Sequence, residues 1–88
     1  MIAMRTVLEG RIAGEFHGYA AGRIYELSDV SRWRQEDRAD EPVYRERPRA
    51  KLLRDDGSGA FYLDVEGTSG IVRVVPNGSM SGSSVGAF

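Results

Sequence analysis

The chain has no cysteine and only one histidine among its 88 residues. That excludes a disulfide framework and any thiolate metal site, and it removes the usual zinc and iron ligand sets. An excess of one charge is missing too. Twelve basic against thirteen acidic residues leave a formal net charge of -1, so nothing draws the chain as a whole towards a phosphate backbone. No apolar run approaches the roughly 20 residues needed to cross a bilayer, and the opening Met1 to Arg5 lacks the charged start and apolar core of a signal peptide. The expectation is a cytoplasmic protein with no membrane role.

Helical patterning is also absent: nowhere do apolar residues recur at i, i+3, i+4 and i+7 for more than one turn. What the chain has is alternation, punctuated by eleven glycines. The segment 5–13, RTVLEGRIA, reads as a first strand with a bulge or sharp coil at Gly10, and Phe16 continues its apolar line. In 22–27, GRIYEL, alternation puts Tyr25 and Leu27 on one face, the inward one. Ser28 to Ser31 is a link of hairpin length, and Arg32 to Gln35 returns with Trp33 on one side and its two arginines on the other. Residues 36–42, EDRADEP, read as a solvated loop.

A fourth strand is expected from Val43 to Arg54, with Pro48 in its middle marking an edge or a bulge. Asp55-Asp56-Gly57-Ser58-Gly59 is a strong hairpin signal leading into Phe61 to Val65, whose Phe61, Leu63 and Val65 share a face. A second turn, Glu66 to Gly70, leads into Ile71 to Val75, ended by Pro76. Residues 77–88 are mostly glycine and serine, seven of twelve, and cannot offset their ordering entropy. The expected organisation is one domain over 1–76 and a disordered tail over 77–88. An all-β fold of five or six short strands closes best as a small SH3-like antiparallel barrel, because closure removes exposed edges. An OB-like barrel is the second choice; it usually needs a helix, for which no segment qualifies.

The series Gly14-x-Phe16-x-Gly18-Tyr19, Gly22-x-x-Tyr25-x-Leu27 and Trp33-x-Gln35 resembles a group of small uncharacterised bacterial proteins, some carried on mobile integron cassettes. Their pattern runs G-x-F-x-G-W, then F-x-L-x-N-G-x-x-W-x-Q, followed by a strand rich in Tyr, Pro and Arg and a glycine hairpin. Here Tyr19 replaces the Trp, and Val30 stands where the turn Gly is common, which argues against a tight two-residue turn. The resemblance implies an SH3-like barrel and no particular activity. Val72-Arg73-Val74-Val75-Pro76 is also similar in spacing to the V-Q-I-Y-P pore strand of tetrameric SH3-like dihydrofolate reductases. Arg73 and Val75 would replace the pore Gln and Tyr, and the hydrogen bonds to pterin and nicotinamide would be lost with them.

Catalytic constellations are few. His17 has no cysteine to activate, and Asp55-Asp56 is explained by the turn it opens. No enzyme, cofactor or metal is expected. Phe16, Tyr25, Trp33 and Phe61 are core residues on this reading, and Tyr19, Tyr44 and Tyr62 are exposed ones. Arg45, Arg47, Arg49 and Lys51 would line one side of one strand about 7 Å apart, beside Arg32 or Arg34 if the third and fourth strands pair. Such a row suits nucleic acid, and it equally suits an edge strand protected against edge-to-edge pairing. The function expected is a non-catalytic binding module for a protein partner or for a second copy of itself. Nucleic acid is the alternative and a tetrameric pore enzyme of the reductase type a remote one, and Tyr19, His17, Tyr44, Tyr62 and the four cations form the candidate surface.

Overall fold

A computed structural model of the chain describes residues 4–77. All but Asn77 of the expected tail lies outside the described residues. Within them, every regular element is a strand: β1 (Met4–Arg11), β2 (Glu15–Phe16), β3 (Ile24–Glu26), β4 (Arg32–Gln35), β5 (Arg45–Glu46), β6 (Arg49–Asp55), β7 (Phe61–Val65) and β8 (Ile71–Pro76). The six-stranded antiparallel sheet runs β1-β6-β7-β8-β4-β3, and β2 pairs with β5 in a small second sheet. Among the described residues no helix is long and apolar enough to cross a membrane.

The two end strands of the large sheet meet again just beyond β1. Ile12 bridges Leu27, Ala13 N–H donates to Glu26 O at 2.8 Å, and Ser28 N–H donates to Arg11 O at 2.8 Å. The sheet therefore curls into a barrel laced at one corner. Alternation sets what points inward, because each strand shows every second side chain to the enclosed face. Tyr25 and Leu27 are buried as expected, as are Leu63, Val65, Val72 and Val74. Phe61 is half-buried at the rim, packed against Trp33 with ring centroids 5.0 Å apart. Burying a side chain such as Leu63 contributes about 1.5–3 kcal/mol, and the core of so short a chain has few such groups.

Three local expectations change, while the acidic loop over residues 36–42 is solvated as expected. The bulge in β1 falls at Val7, between the Thr6–Leu53 and Leu8–Leu52 pairs, and Gly10 instead leaves room for the Ser28 hydroxyl, which a Cβ would meet at 2.7 Å. The single strand expected over Val43 to Arg54 is two strands: Arg47 takes a left-handed conformation (φ 47°) and buried Pro48 follows, so β5 pairs with β2 while β6 pairs with β1 and β7. β4 pairs with β3 and β8, so Arg32 and Arg34 are not beside the cationic row. The acidic loop is tied down at both ends: Asp37 accepts from Arg73 N–H at 2.9 Å, and Glu41 accepts from Ser69 N–H at 3.0 Å.

The β3–β4 turn is not a two-residue one. Leu27 N–H donates to Ser31 O at 2.9 Å, enclosing Ser28, Asp29 and Val30, and Val30 takes the left-handed position with φ 64°. Hydrogen bonds from Ser31 N–H (3.0 Å) and its hydroxyl (2.6 Å) brace the turn at Asp29, and they lower the pKa of that carboxyl. A β-branched residue is strained at φ > 0, and Val30 is 75% exposed, so it gains little burial in return. Val30→Gly is therefore expected to stabilise the fold by about 1 kcal/mol, relief of strain outweighing the added freedom of the unfolded glycine. Thermal or urea unfolding measures it, and a loss of stability would show that the turn is not strained.

Candidate functional site

Tyr19 is the first candidate to move. It is buried, not exposed, because Gly18 at φ 100° turns the chain so that Tyr19 and Glu41 exchange backbone hydrogen bonds (3.0 and 3.1 Å) and the ring is directed inward. There it meets Phe16 edge-on at 5.8 Å and Tyr25 at 6.3 Å. Its hydroxyl accepts from Val65 N–H at 3.1 Å and lies 2.9 Å from Gly70 O and 3.0 Å from the Thr68 hydroxyl. It thus completes the β7–β8 turn from inside.

A second interior node is Gln35, 1% exposed. Its Oε1 accepts from the Tyr25 hydroxyl at 2.5 Å and from Ala20 N–H at 3.0 Å, while its Nε2 donates to Ala39 O at 2.7 Å and Asp37 Oδ1 at 2.9 Å. Among the described residues no buried side-chain polar atom lacks a partner. The Trp-x-Gln spacing hints at Gln35, since it puts the amide on the face of Trp33, but which groups it joins depends on the fold.

Burial raises the Tyr25 pKa to about 12 and the Tyr19 pKa above its usual 10.0, loss of hydration being the largest cause for both. Below pH 10 both folded and unfolded chains hold these protons and stability is level. Between about pH 10 and 12 the unfolded chain ionises first, binds fewer protons than the folded one, and is favoured. Stability should fall across that window by about 2–3 kcal/mol for Tyr25 alone. Urea titrations at stepped pH read this out, and a midpoint unchanged up to pH 12 would refute it.

The surface candidates fall into two neighbouring clusters that meet at Tyr44, which lines one surface depression with Arg11, Arg45 and Arg47. In one, exposed His17 follows β2, with Nε2 3.4 Å from Glu15 Oε1 and its ring centroid 5.4 Å from that of Tyr44, which is 61% exposed. The Tyr44 hydroxyl is raised above its usual pKa, by slight desolvation first and then by the charges of Glu15 and Glu46. His17 also lines a groove of about 310 Å³ between β2 and β3, together with Ile24, which is 50% exposed, and the acids Glu15 and Glu26. Among the described residues no three His, Asp or Glu side chains converge as metal ligands.

The other cluster holds the cations. Arg45 is on β5, Arg47 at the bend, Arg49 and Lys51 on β6, with Arg11 opposite Arg49 in the register. Arg11 Nη1 donates to Arg47 O at 2.9 Å and Arg47 N–H donates to Gly14 O at 2.8 Å, which holds the left-handed bend. The Arg45 side chain lies across Gly67, where a Cβ would run into it. Arg5, Arg32, Arg34 and Arg54 have carboxylate partners, whereas among the described residues these five cations have none within 4.0 Å, and neither have Arg23, Arg38 and Arg73. The expected straight row is thus a corner, and Arg11, which sequence spacing could not connect to it, belongs to it. Glu9 and Asp64 flank Lys51 in the register, and Glu66 receives Arg49 N–H at 3.2 Å, so acids are interleaved with the cations.

Tyr62 is set apart from both clusters, half-buried on the outer face between Leu53 and Arg73. On β8, Val72 and Val74 are buried in the core, which leaves Arg73 and Val75 as the outward pair of the Val-Arg-Val-Val-Pro segment. No protein-family profile, curated protein or solved structure matches this chain.

Proposed function

We propose that the chain is a non-catalytic binding module whose partner is a protein or a second copy of itself, of the SH3-like kind that its sequence resembles. One observation carries this reading: Tyr44 and Ile24 are both at least half-exposed, and His17, whose ring lies 5.4 Å from that of Tyr44, lines the groove between β2 and β3 together with Ile24. Rigid rings and half-buried aliphatic groups at a groove suit protein contacts, because they bury area at low cost in side-chain entropy. Tyr19, Tyr25 and Gln35 spend their polar atoms on holding the fold.

Light scattering over a range of concentrations, and retention of cell-extract proteins on the immobilised chain, test this. A mass increase or a retained protein that is lost in the Ile24→Lys/Tyr44→Glu double variant is the expected result. A strictly monomeric chain that retains only nuclease-sensitive polymer would overturn it.

That second outcome belongs to the alternative, nucleic acid bound at Arg11, Arg45, Arg47, Arg49 and Lys51, which the lack of carboxylate partners there favours. On this reading oligonucleotide binding is steeply salt-dependent, and each Arg→Ala change lowers the slope of log K against log salt by about 1. The interleaved acids Glu9, Glu46, Asp64 and Glu66 oppose a continuous phosphate backbone, so the protein-binding reading stands first.

A further inference from the structure

We infer that the groove between β2 and β3 receives an extended peptide segment of a partner protein, which adds to β3 as a further strand. The inference rests on the protein-binding reading above and specifies its mode.

The backbone supplies the argument. Antiparallel ladders alternate between residues bonded to the neighbouring strand and residues facing away from it. Gln35 N–H donates to Arg23 O and Leu27 N–H to Ser31 O, so Arg23, Tyr25 and Leu27 face β4 while Ile24 and Glu26 face away. Glu26 O is taken by Ala13 N–H at 2.8 Å. One residue later the lacing stops: Gly14, at φ 99° with open space around its Cβ direction, turns the chain into β2 and towards β5. The backbone N–H and C=O of Ile24 are left facing the groove. On the opposite wall the same alternation applies. Arg47 N–H donates to Gly14 O, and Phe16 pairs with Arg45 in the same phase, so the peptide groups of Glu15 also face the groove. Among the described residues these two strands present backbone groups without partners across one opening, and an added strand satisfies such groups.

The side chains indicate what kind of segment fits. Ile24 and Glu26 point to the outer face because Tyr25 and Leu27 point inward. Glu15 is likewise on the surface, and the one cation of the groove, Arg23, is turned aside to donate to Gly18 O at 2.8 Å. Arg32 already stands 3.8 Å from Glu26 and His17 3.4 Å from Glu15, both exposed contacts that an incoming Lys or Arg can replace. A strand with an apolar residue beside Ile24 and a cation within reach of Glu15 or Glu26 therefore complements this lining. A second copy fits less well. The other open edge, β1, carries the Val7 bulge and an Arg5 already held by Asp56 at 3.0 Å, and a β1-to-β3 contact would be head-to-tail and not self-limiting.

A displayed library of short random peptides, selected on the whole chain, tests the inference. Enriched peptides should alternate apolar residues with Lys or Arg. Amide hydrogen exchange at Ile24 and Glu15 should slow about tenfold or more when such a peptide binds. Ile24→Pro removes the groove-facing N–H without touching a β4 bond, and should weaken binding about tenfold while the amide spectrum stays dispersed. If that variant loses its dispersed spectrum, a selected peptide N-methylated at alternate residues makes the same test from the ligand's side and should not bind. Peptides insensitive to both changes, or protection confined to the Arg45–Arg47 corner, would overturn strand addition and leave protein binding standing. An enrichment of nothing would overturn strand addition also, and only nuclease-sensitive retention in the earlier experiment would remove both readings.

Discussion

Gly18→Ala should cost the fold about 3–5 kcal/mol, which for a domain of this size leaves little or no native population. Two penalties add. Gly18 sits at φ 100°, a region that L side chains rarely enter, and the methyl would fall on the backbone of the facing loop: the Glu41 carbonyl, Val43 N at 2.7 Å and Pro42 Cα at 2.9 Å. These are main-chain atoms fixed by the Tyr19–Glu41 bridge, so no side chain can swing aside to make room. Gly14 and Gly22 are the internal controls. Both have positive φ with nothing within 4 Å, so alanine there should show the conformational cost alone, about 1–2 kcal/mol. Circular dichroism and urea unfolding of the three variants check the ranking. A Gly18→Ala protein as stable as Gly14→Ala would mean that the 41–43 loop yields freely.

Tyr19→Phe should destabilise by about 2–3 kcal/mol although it deletes a single oxygen. The ring would keep its place between Phe16 and Tyr25, so little packing is lost. What the change removes is the acceptor for Val65 N–H and a partner for Gly70 O and the Thr68 hydroxyl. Val65 lies beyond the last β7–β8 pair, Asp64 with Ile71, so no ladder bond replaces the missing one. A buried N–H without an acceptor carries its full desolvation cost. Chemical denaturation gives the size of the effect, and amide exchange gives its location, since Val65 should exchange faster while Leu52 and Leu63 keep their protection. A change below about 0.5 kcal/mol would show that water or a shifted Thr68 substitutes for the phenol.

Much of the fold could be read directly. Period-two alternation identified the inward faces of GRIYEL, FYLDV and IVRVV, and Asp55 to Gly59 forms the hairpin its residues predict, with Asp55 accepting from Gly57 N–H and the Ser58 hydroxyl. Those features depend on residues close together in the chain, where turn chemistry and pleating act. The mistakes came where a remote segment intervened. Tyr19 reads as an exposed aromatic next to a glycine, and only its pairing with Glu41 turns it inward. The Arg-x-Arg-x-Arg-x-Lys row reads as one strand face, and only the competition between β2 and β1 for its backbone bends it at Arg47.

That the chain is all-β, where its turns lie and which side of most strands is apolar are legible along the chain, because these follow from local sterics and from the removal of apolar surface from water. Only tertiary pairing turned Tyr19 inward beside the core aromatics Phe16 and Tyr25. It also decided that Arg11 joins a corner of unpaired cations and that Ile24 faces an unlaced groove. Each of these turns on which strand pairs with which. That choice is made by burial and hydrogen bonding between residues far apart in the chain, and no local pattern encodes it.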